Sequence, residues 1–311
     1  MLLCCGEALI DMLPGRTDAG EDAFVPHAGG AVFNTAIALG RLGASAAMVT
    51  GLSNDLFGQR LEASLAASGV DATLAVRSDR PTTLAFVTLK GGQASYTFYD
   101  ENTAGRCLRP EDMPDVPETT RAAFFGGISL AVEPCADAYA ALAGRAASRA
   151  VVMLDPNIRP SFIGDEARYR GRLAAMLSHA DIVKVSDEDL AWLVPEPADV
   201  RAQAGRLLAA GPAIVIVTRG GKGATAFTDR GEVVEVPAER STVVDTIGAG
   251  DSFNAGFLCR LDSAGLLEKD TVRGLSVDAL TAAMTFAARV AAVTVSRAGA
   301  NPPWAHELAV S

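Results

Sequence analysis

Short apolar runs alternate with alanine- and leucine-rich stretches of helical period along nearly the whole chain, and this alternation limits the fold more than any other feature. Candidate strands fall at 2–10, 45–51, 72–76, 122–127, 150–154, 180–185 and 213–218. Helical periodicity is clearest at 31–43, 54–69, 134–149, 165–178, 197–210, 251–264 and 276–292. Strands separated by helices of this length predict a parallel sheet with helices on both faces. The run AIVIV (213–217) has no polar face, as befits a strand buried on both sides. With 49% apolar and 21% charged residues, the chain has the material for one large α/β domain over 1–311.

Two stretches break the alternation. Residues 12–27, MLPGRTDAGEDAFVPH, are polar with scattered apolar positions, and 83–99, TLAFVTLKGGQASYTFY, are β-rich with KGGQ as a hairpin turn. Neither feeds a crossover helix. Both read as a small β-layer apart from the main sheet, or as surface hairpins.

A formal net charge of −10, with no basic cluster, argues against nucleic-acid or membrane-surface partners. The cysteines are Cys4, Cys5, Cys107, Cys135 and Cys259; an odd count without a Cys-x-x-Cys pair suits reduced thiols in a cytoplasmic protein. The start, MLLCCGEALID, meets Glu7 and Asp11 too early for a signal peptide and reads as a first strand. No run approaches about 18 apolar residues, so no membrane span is expected.

The stretch DTIGAGDSFNAGF (245–257) runs from a glycine-rich bend into a helix whose first position reads as Asp251. Gly248 and Gly250 permit unusual backbone angles or close approach, and the amides of 248–251 converge where a helix N-terminus favours an anion. An aspartate there is also an ordinary N-cap. Beside a phosphate cradle, however, a carboxylate that accepts a proton is what phosphoryl transfer to an alcohol needs. Other phosphate motifs are absent. GGKG (220–223) lacks the Ser or Thr of a P-loop, and no G-x-G-x-x-G opens a helix near the first strand. With only His27, His179 and His306, histidine catalysis has few candidates.

Four further stretches sit at junctions between strands and helices. In GGAVFNTAIALGRLG (29–43), Gly29 and Gly30 open an amphipathic helix with Asn34 one turn in, suited to sugar hydroxyls or simply to a tight turn. VTRGGKGA (217–224) follows the buried strand, where ligands of open α/β sheets gather, although a plain strand–turn–strand fits too. DPNIRPSF (155–162) offers Asp155, Asn157 and Arg159 for hydroxyls, water or an anion. KVSDEDL (184–190) starts a helix with Asp187, Glu188 and Asp189, a stable place for acids and a candidate for water-mediated Mg²⁺.

Together these motifs resemble the ribokinase-like (PfkB) family of carbohydrate kinases, and among them bacterial fructokinases. DTIGAGDSFNAGF is similar to the family's second signature, GGAVFNTAIALGRLGASAAMVTGLSNDLFG to its first, and GEALIDMLP (6–14) to a fructokinase start. The resemblance runs from about residue 3 to about 303. It implies a three-layer α/β/α sandwich with a mostly parallel sheet and a β-lid formed by 12–27 and 83–99. It implies transfer of the γ-phosphate of ATP to a hydroxymethyl group of a sugar, with fructose first. A 2-keto-3-deoxygluconate-type sugar acid, a nucleoside, or an idle sugar-responsive binding protein are the alternatives. Asp251 would be the base, and Gly248, Ala249 and Gly250 the anion hole. Asp11, Gly29, Gly30, Asn34 and Arg159 would meet the sugar. Thr218, Gly220, Gly223, Ser186 and Ala287 would line the nucleotide site. Mg²⁺ would be held through water by Asp189, where the family's Asn-x-x-Glu stands as Ser186-Asp187-Glu188-Asp189. A monovalent cation, K⁺, would match Asp245, Ile247, Thr294, Arg297 and Gly299, with Pro303 at the last position. The lid would pair two subunits into a homodimer.

Overall fold

Every residue of β1 (Leu2–Cys5) is buried, and its side chains divide between two cores: Leu2 and Cys4 face one, Leu3 and Cys5 the other. A strand with period-2 burial on both faces needs helices above and below, and the rest of the chain supplies them. The computed structural model describes residues 1–90, 93–196 and 198–308; Gly91 and Gly92 of the expected KGGQ turn and Pro197 of the expected helix at 197–210 lie outside them. The further strands are β2 (Leu9–Arg16), β3 (Asp22–Gly29), β4 (Ala46–Val49), β5 (Gly51–Ser53), β6 (Val70–Asp71), β7 (Val76–Ser78), β8 (Leu84–Lys90), β9 (Gln93–Tyr99), β10 (Ala122–Gly126), β11 (Val151–Asp155), β12 (Ile182–Ser186), β13 (Ile214–Thr218), β14 (Ala224–Thr228) and β15 (Val233–Val236). The helices are α1 (Ala31–Arg41), α2 (Leu56–Ala67), α3 (Cys135–Ala146), α4 (Glu166–His179), α5 (Asp187–Leu193), α6 (Val200–Leu208), α7 (Ala249–Ser263), α8 (Lys269–Arg273), α9 (Val277–Val295) and α10 (Ala305–Leu308).

Among the described residues the central sheet has nine strands in the order β15-β14-β13-β12-β11-β10-β1-β4-β6. It is parallel from β13 to β6, with β14 and β15 antiparallel at one edge. Residues of α1, α7 and α9 pack on one face, and residues of α3, α4 and α6 on the other, which gives the three-layer α/β/α order. A second sheet of four strands, β3-β2-β8-β9, stands beside it. In that sheet Leu9 pairs Gly29, Ile10 pairs Leu84 in parallel, and Leu84 pairs Tyr99.

Several elements differ from the sequence pattern. The apolar run 2–10 is two strands in two sheets, because the chain turns at Gly6, where a Cβ would strike Val32 of α1. The run 45–51 likewise ends at Val49, and β5 pairs with β7 away from the main sheet. The expected strand at 72–76 is a turn between β6 and β7: Asp71 accepts the Thr73 amide at 2.8 Å, and the Ala75 amide donates to Ala72 at 3.1 Å. VTRGGKGA is a strand–turn–strand from β13 into β14. Helix α7 starts at Ala249, two residues before Asp251, with Gly248 as N-cap at φ 76°. Helix α9 is long and apolar enough to cross a membrane by length and composition alone, although Asp278 and Arg289 interrupt its apolar run. It is a core helix, burying Leu280, Ala283, Met284, Ala287 and Val290 in the cluster that also holds Phe253, Phe257 and Leu261 of α7.

Candidate active site

A cleft of about 310 Å³ opens between the carboxyl end of the central sheet and the small sheet. The parallel strands all point the same way, so the loops that follow β1, β10, β11 and β12 reach one rim. The N-terminus of α7 closes one side with Thr246, Ile247, Gly248, Ala249, Gly250 and Asp251, and the small sheet contributes Asp11, Tyr96 and Phe98.

Helix α7 runs 15 residues, with its N-terminus on the cleft. Gly248 adopts the left-handed conformation there, which an L side chain resists. The Ala249 amide donates to Thr246 at 3.3 Å, whereas among the described residues the amides of Gly248, Gly250 and Asp251 have no backbone acceptor. These orphan donors sit at the positive end of the helix and suit an oxyanion.

Asp251 is third in the helix and caps nothing; the helix start carries no side-chain cap bond. Its side chain leaves the helix and Oδ2 accepts Asn34 Nδ2 of α1 at 2.9 Å. Asp251 is only 8% exposed. Burial pushes its carboxyl up to about 7; Asp155 and Glu7 push the same way, while the Asn34 hydrogen bond and Lys184 pull it down. A carboxylate that titrates near neutrality is suited to taking a proton.

Asn34 is placed by the start of α1. Gly30 precedes it at φ 109°, and Glu7 caps the helix from across the chain: Oε1 accepts the Ala31 amide at 2.9 Å, and Oε2 accepts Ser129 N at 3.3 Å. Burial raises the Glu7 carboxyl. Asp11 packs against Gly29, where a Cβ would collide with its carboxylate, and burial with the nearby Glu7 charge pushes Asp11 up to about 6. Arg159 is exposed at the rim, donating to Ile158 O at 3.0 Å and Asn157 O at 3.3 Å.

The remaining sequence candidates do not line this cleft. Ser186 caps α5 by accepting the Asp189 amide at 2.9 Å, and Asp189 Oδ1 accepts Ile158 N at 3.1 Å, which ties DPNIRPSF to α5. Burial raises the Asp189 carboxyl. Thr218 ends β13, with Gly220 and Gly223 in the turn after it. Ala287 is fully buried against Gly256 of α7. Asp245 accepts Ile247 N at 3.0 Å and Gly299 N at 2.9 Å, and so joins the α7 loop to the segment after α9. Thr294 is buried and donates to Ser252 Oγ at 2.8 Å; Arg297 pairs with Glu307 at 2.6 Å.

Sequence reasoning missed three groups in the cleft wall. Lys184 meets Asp155 at 2.9 Å, and Asn254 donates to the same Asp155 oxygen at 2.7 Å. In the sequence Glu7 stands only as a polar break, and Tyr96 and Phe98 only as strand residues. The usable signal for Lys184 was a lone charge inside the apolar strand IVKVS.

A family model described as pfkB family carbohydrate kinase matches residues 1–307. A fructokinase of Rhizobium leguminosarum bv. trifolii is 50% identical over 280 residues, which span 90% of this chain and 85% of that protein. The crystal structure of a fructokinase with bound ATP from Xylella fastidiosa superposes with a TM-score of 0.87 at 33% identity, covering 96% of this chain and 93% of that one. The aminoimidazole riboside kinase of Salmonella enterica, complexed with aminoimidazole riboside and an ATP analogue, gives 0.85 at 25% identity, covering 99% and 98%.

Proposed function

The chain belongs to the pfkB family of carbohydrate kinases, and we propose that it transfers the γ-phosphate of ATP to a hydroxymethyl oxygen of fructose. The observation that carries this reading is Asp251, a buried carboxylate near neutral pKa, set beside unpaired amides at the start of α7. Identity of 50% to a fructokinase supports fructose as the sugar.

In this reading the sugar lies against Asp11, Gly29, Gly30, Asn34 and Arg159. Asp251 takes the proton from the hydroxymethyl oxygen. That oxygen forms a bond to the γ-phosphorus as the bond to the β-phosphate oxygen breaks, and ADP leaves. The amides of Gly248, Ala249 and Gly250 bind the oxygens on which charge collects. Thr218, Gly220, Gly223 and Ser186 border the nucleotide, while Ala287 lies fully buried behind Gly256 and offers it no surface.

Mg²⁺ fits this donor set. Among the described residues no three metal-ligating side chains converge, and Mg²⁺ in kinases is held mainly by phosphates and water. Asp189 keeps one carboxylate oxygen outside the Ile158 bond and would hold the ion through water. The ion supplies neutralisation of phosphate charge. K⁺ would sit by Asp245, Ile247, Thr294, Arg297 and Gly299, where the Asp245 carboxylate already bridges two loops.

The four-stranded sheet is the lid of a single kinase domain. Tyr96 and Phe98 face the sugar from it, and Phe98 meets Phe162 with ring centroids 4.6 Å apart. A closed lid keeps water from the phosphoryl group. Exposed Phe24 and Tyr99 on its outer side are the surface of a homodimer. The protein acts in the cytoplasm.

The test is ADP release from ATP over fructose, other hexoses, a 2-keto-3-deoxy sugar acid and nucleosides, with and without K⁺. Fructose should give the highest kcat/KM. Turnover only with a sugar acid would move Arg159 to a carboxylate partner, and no turnover with any acceptor would make the protein a sugar-binding relative.

A further inference from the structure

The cleft wall carries four carboxylates, on Glu7, Asp11, Asp155 and Asp251, against two cations, Arg159 and Lys184. Helix amides alone must draw a triphosphate into that field unless a cation stands close by. Arg159 is exposed and spends one guanidinium nitrogen on backbone carbonyls. Lys184 is 5% exposed and projects from β12 to the floor.

Three details set Lys184 apart from an ordinary buried ion pair. A Cβ on Gly250 would lie 2.9 Å from Lys184 Nζ, so the ammonium rests against the amide loop. Of its three donors, one is used among the described residues, toward Asp155 Oδ2. Asp155 itself is satisfied on one side only. Oδ2 takes both Lys184 and Asn254, while buried Oδ1 and Asn254 Oδ1 have no partner. A pair kept for stability alone has its lone pairs filled. This one is instead arranged to hold an ammonium in place with donors free.

We propose that Lys184 is a catalytic residue that contacts the transferring phosphoryl group, with Asp155 and Asn254 as positioning residues that hold it beside Gly250. The inference rests on the phosphoryl site proposed above. The bonds are those already described: sugar oxygen to γ-phosphorus forms, γ-phosphorus to β-phosphate oxygen breaks, and the proton goes to Asp251. Lys184 gives up no proton. Burial works against its charge, but Asp155 outweighs that and raises the ammonium above its ordinary pKa.

Lys184→Met alone strands a buried carboxylate, so the reading variant is Lys184→Met with Asp155→Asn, which keeps an acceptor for Asn254. Its kcat should fall about 100-fold or more with KM for fructose within about threefold, the loss typical of one oxyanion donor. Calorimetry supplies the second readout: binding of ADP with Mg²⁺, fructose and aluminium fluoride should weaken about as much as kcat falls, while ADP alone binds as in the wild type. Turnover of the double variant within about threefold of wild type, or equal weakening of both ligand sets, overturns the proposal. A wild-type protein that releases no ADP with fructose would overturn the kinase reading instead, and this inference with it.

Discussion

A carboxylate held near neutral pKa is expensive to keep charged, and Asp251 carries that cost where it is useful. Its native pKa of about 7 lies above the ordinary 3.8, so between those values the folded chain holds a proton that the unfolded chain has released. The stabilisation is full below pH 4 and is lost as pH rises through 7. Asp251→Asn should therefore melt higher than wild type above pH 7, with the difference growing from pH 4 to 7 to at most about 4 kcal/mol. Its turnover should drop roughly 10²–10⁴-fold while ATP still binds. Asn34→Ala removes the hydrogen bond that holds the carboxyl down, so the acid limb of kcat/KM should move to higher pH. A limb unchanged in that variant would assign the proton to another group. Asp251 and Asn34 were legible as residues because glycine, acid and amide stand at fixed places in short motifs. Their bond was not, since 217 positions separate them.

At the scale of elements, the short motifs depend on how helices meet. Gly256 lets α7 approach α9 closely: a Cβ there would lie 2.8 Å from Ala287 Cα. Gly256→Leu should cost about 1–3 kcal/mol of stability, read from denaturant unfolding. The helices and doubly buried strands were readable because a long periodic segment buries one face whatever its neighbours are. Strand membership was not readable. Leu9 and Ile10 continue an apolar run from Leu2, yet they belong to another sheet, and only the collision at Gly6 says so. The antiparallel edge of β14 and β15 escaped for a similar reason: nothing local distinguishes a hairpin turn from a ligand loop in RGGKG.

For the whole molecule, the proposed lid would couple catalysis to assembly. Phe24, Phe86 and Tyr99 form an edge-to-face chain, with centroids 4.9 and 5.3 Å apart, and Tyr99 is 61% exposed. Phe24→Glu with Tyr99→Glu should shift sedimentation from dimer to monomer. Phe98→Ala loosens the seat against Phe162, so ATP hydrolysis without sugar should become a larger share of ADP release. The span between Asn34 and Asp251 also has a consequence for how the protein is made. At ribosomal speeds of about 5–20 residues per second, roughly 10 to 45 seconds separate the synthesis of the two residues. During that interval Asn34 is without the carboxylate it hydrogen-bonds in the finished fold, and the cleft lacks its α7 side. Translation itself therefore decides when phosphate transfer begins, and a ribosome stalled before residue 249 leaves a chain unable to spend ATP at all.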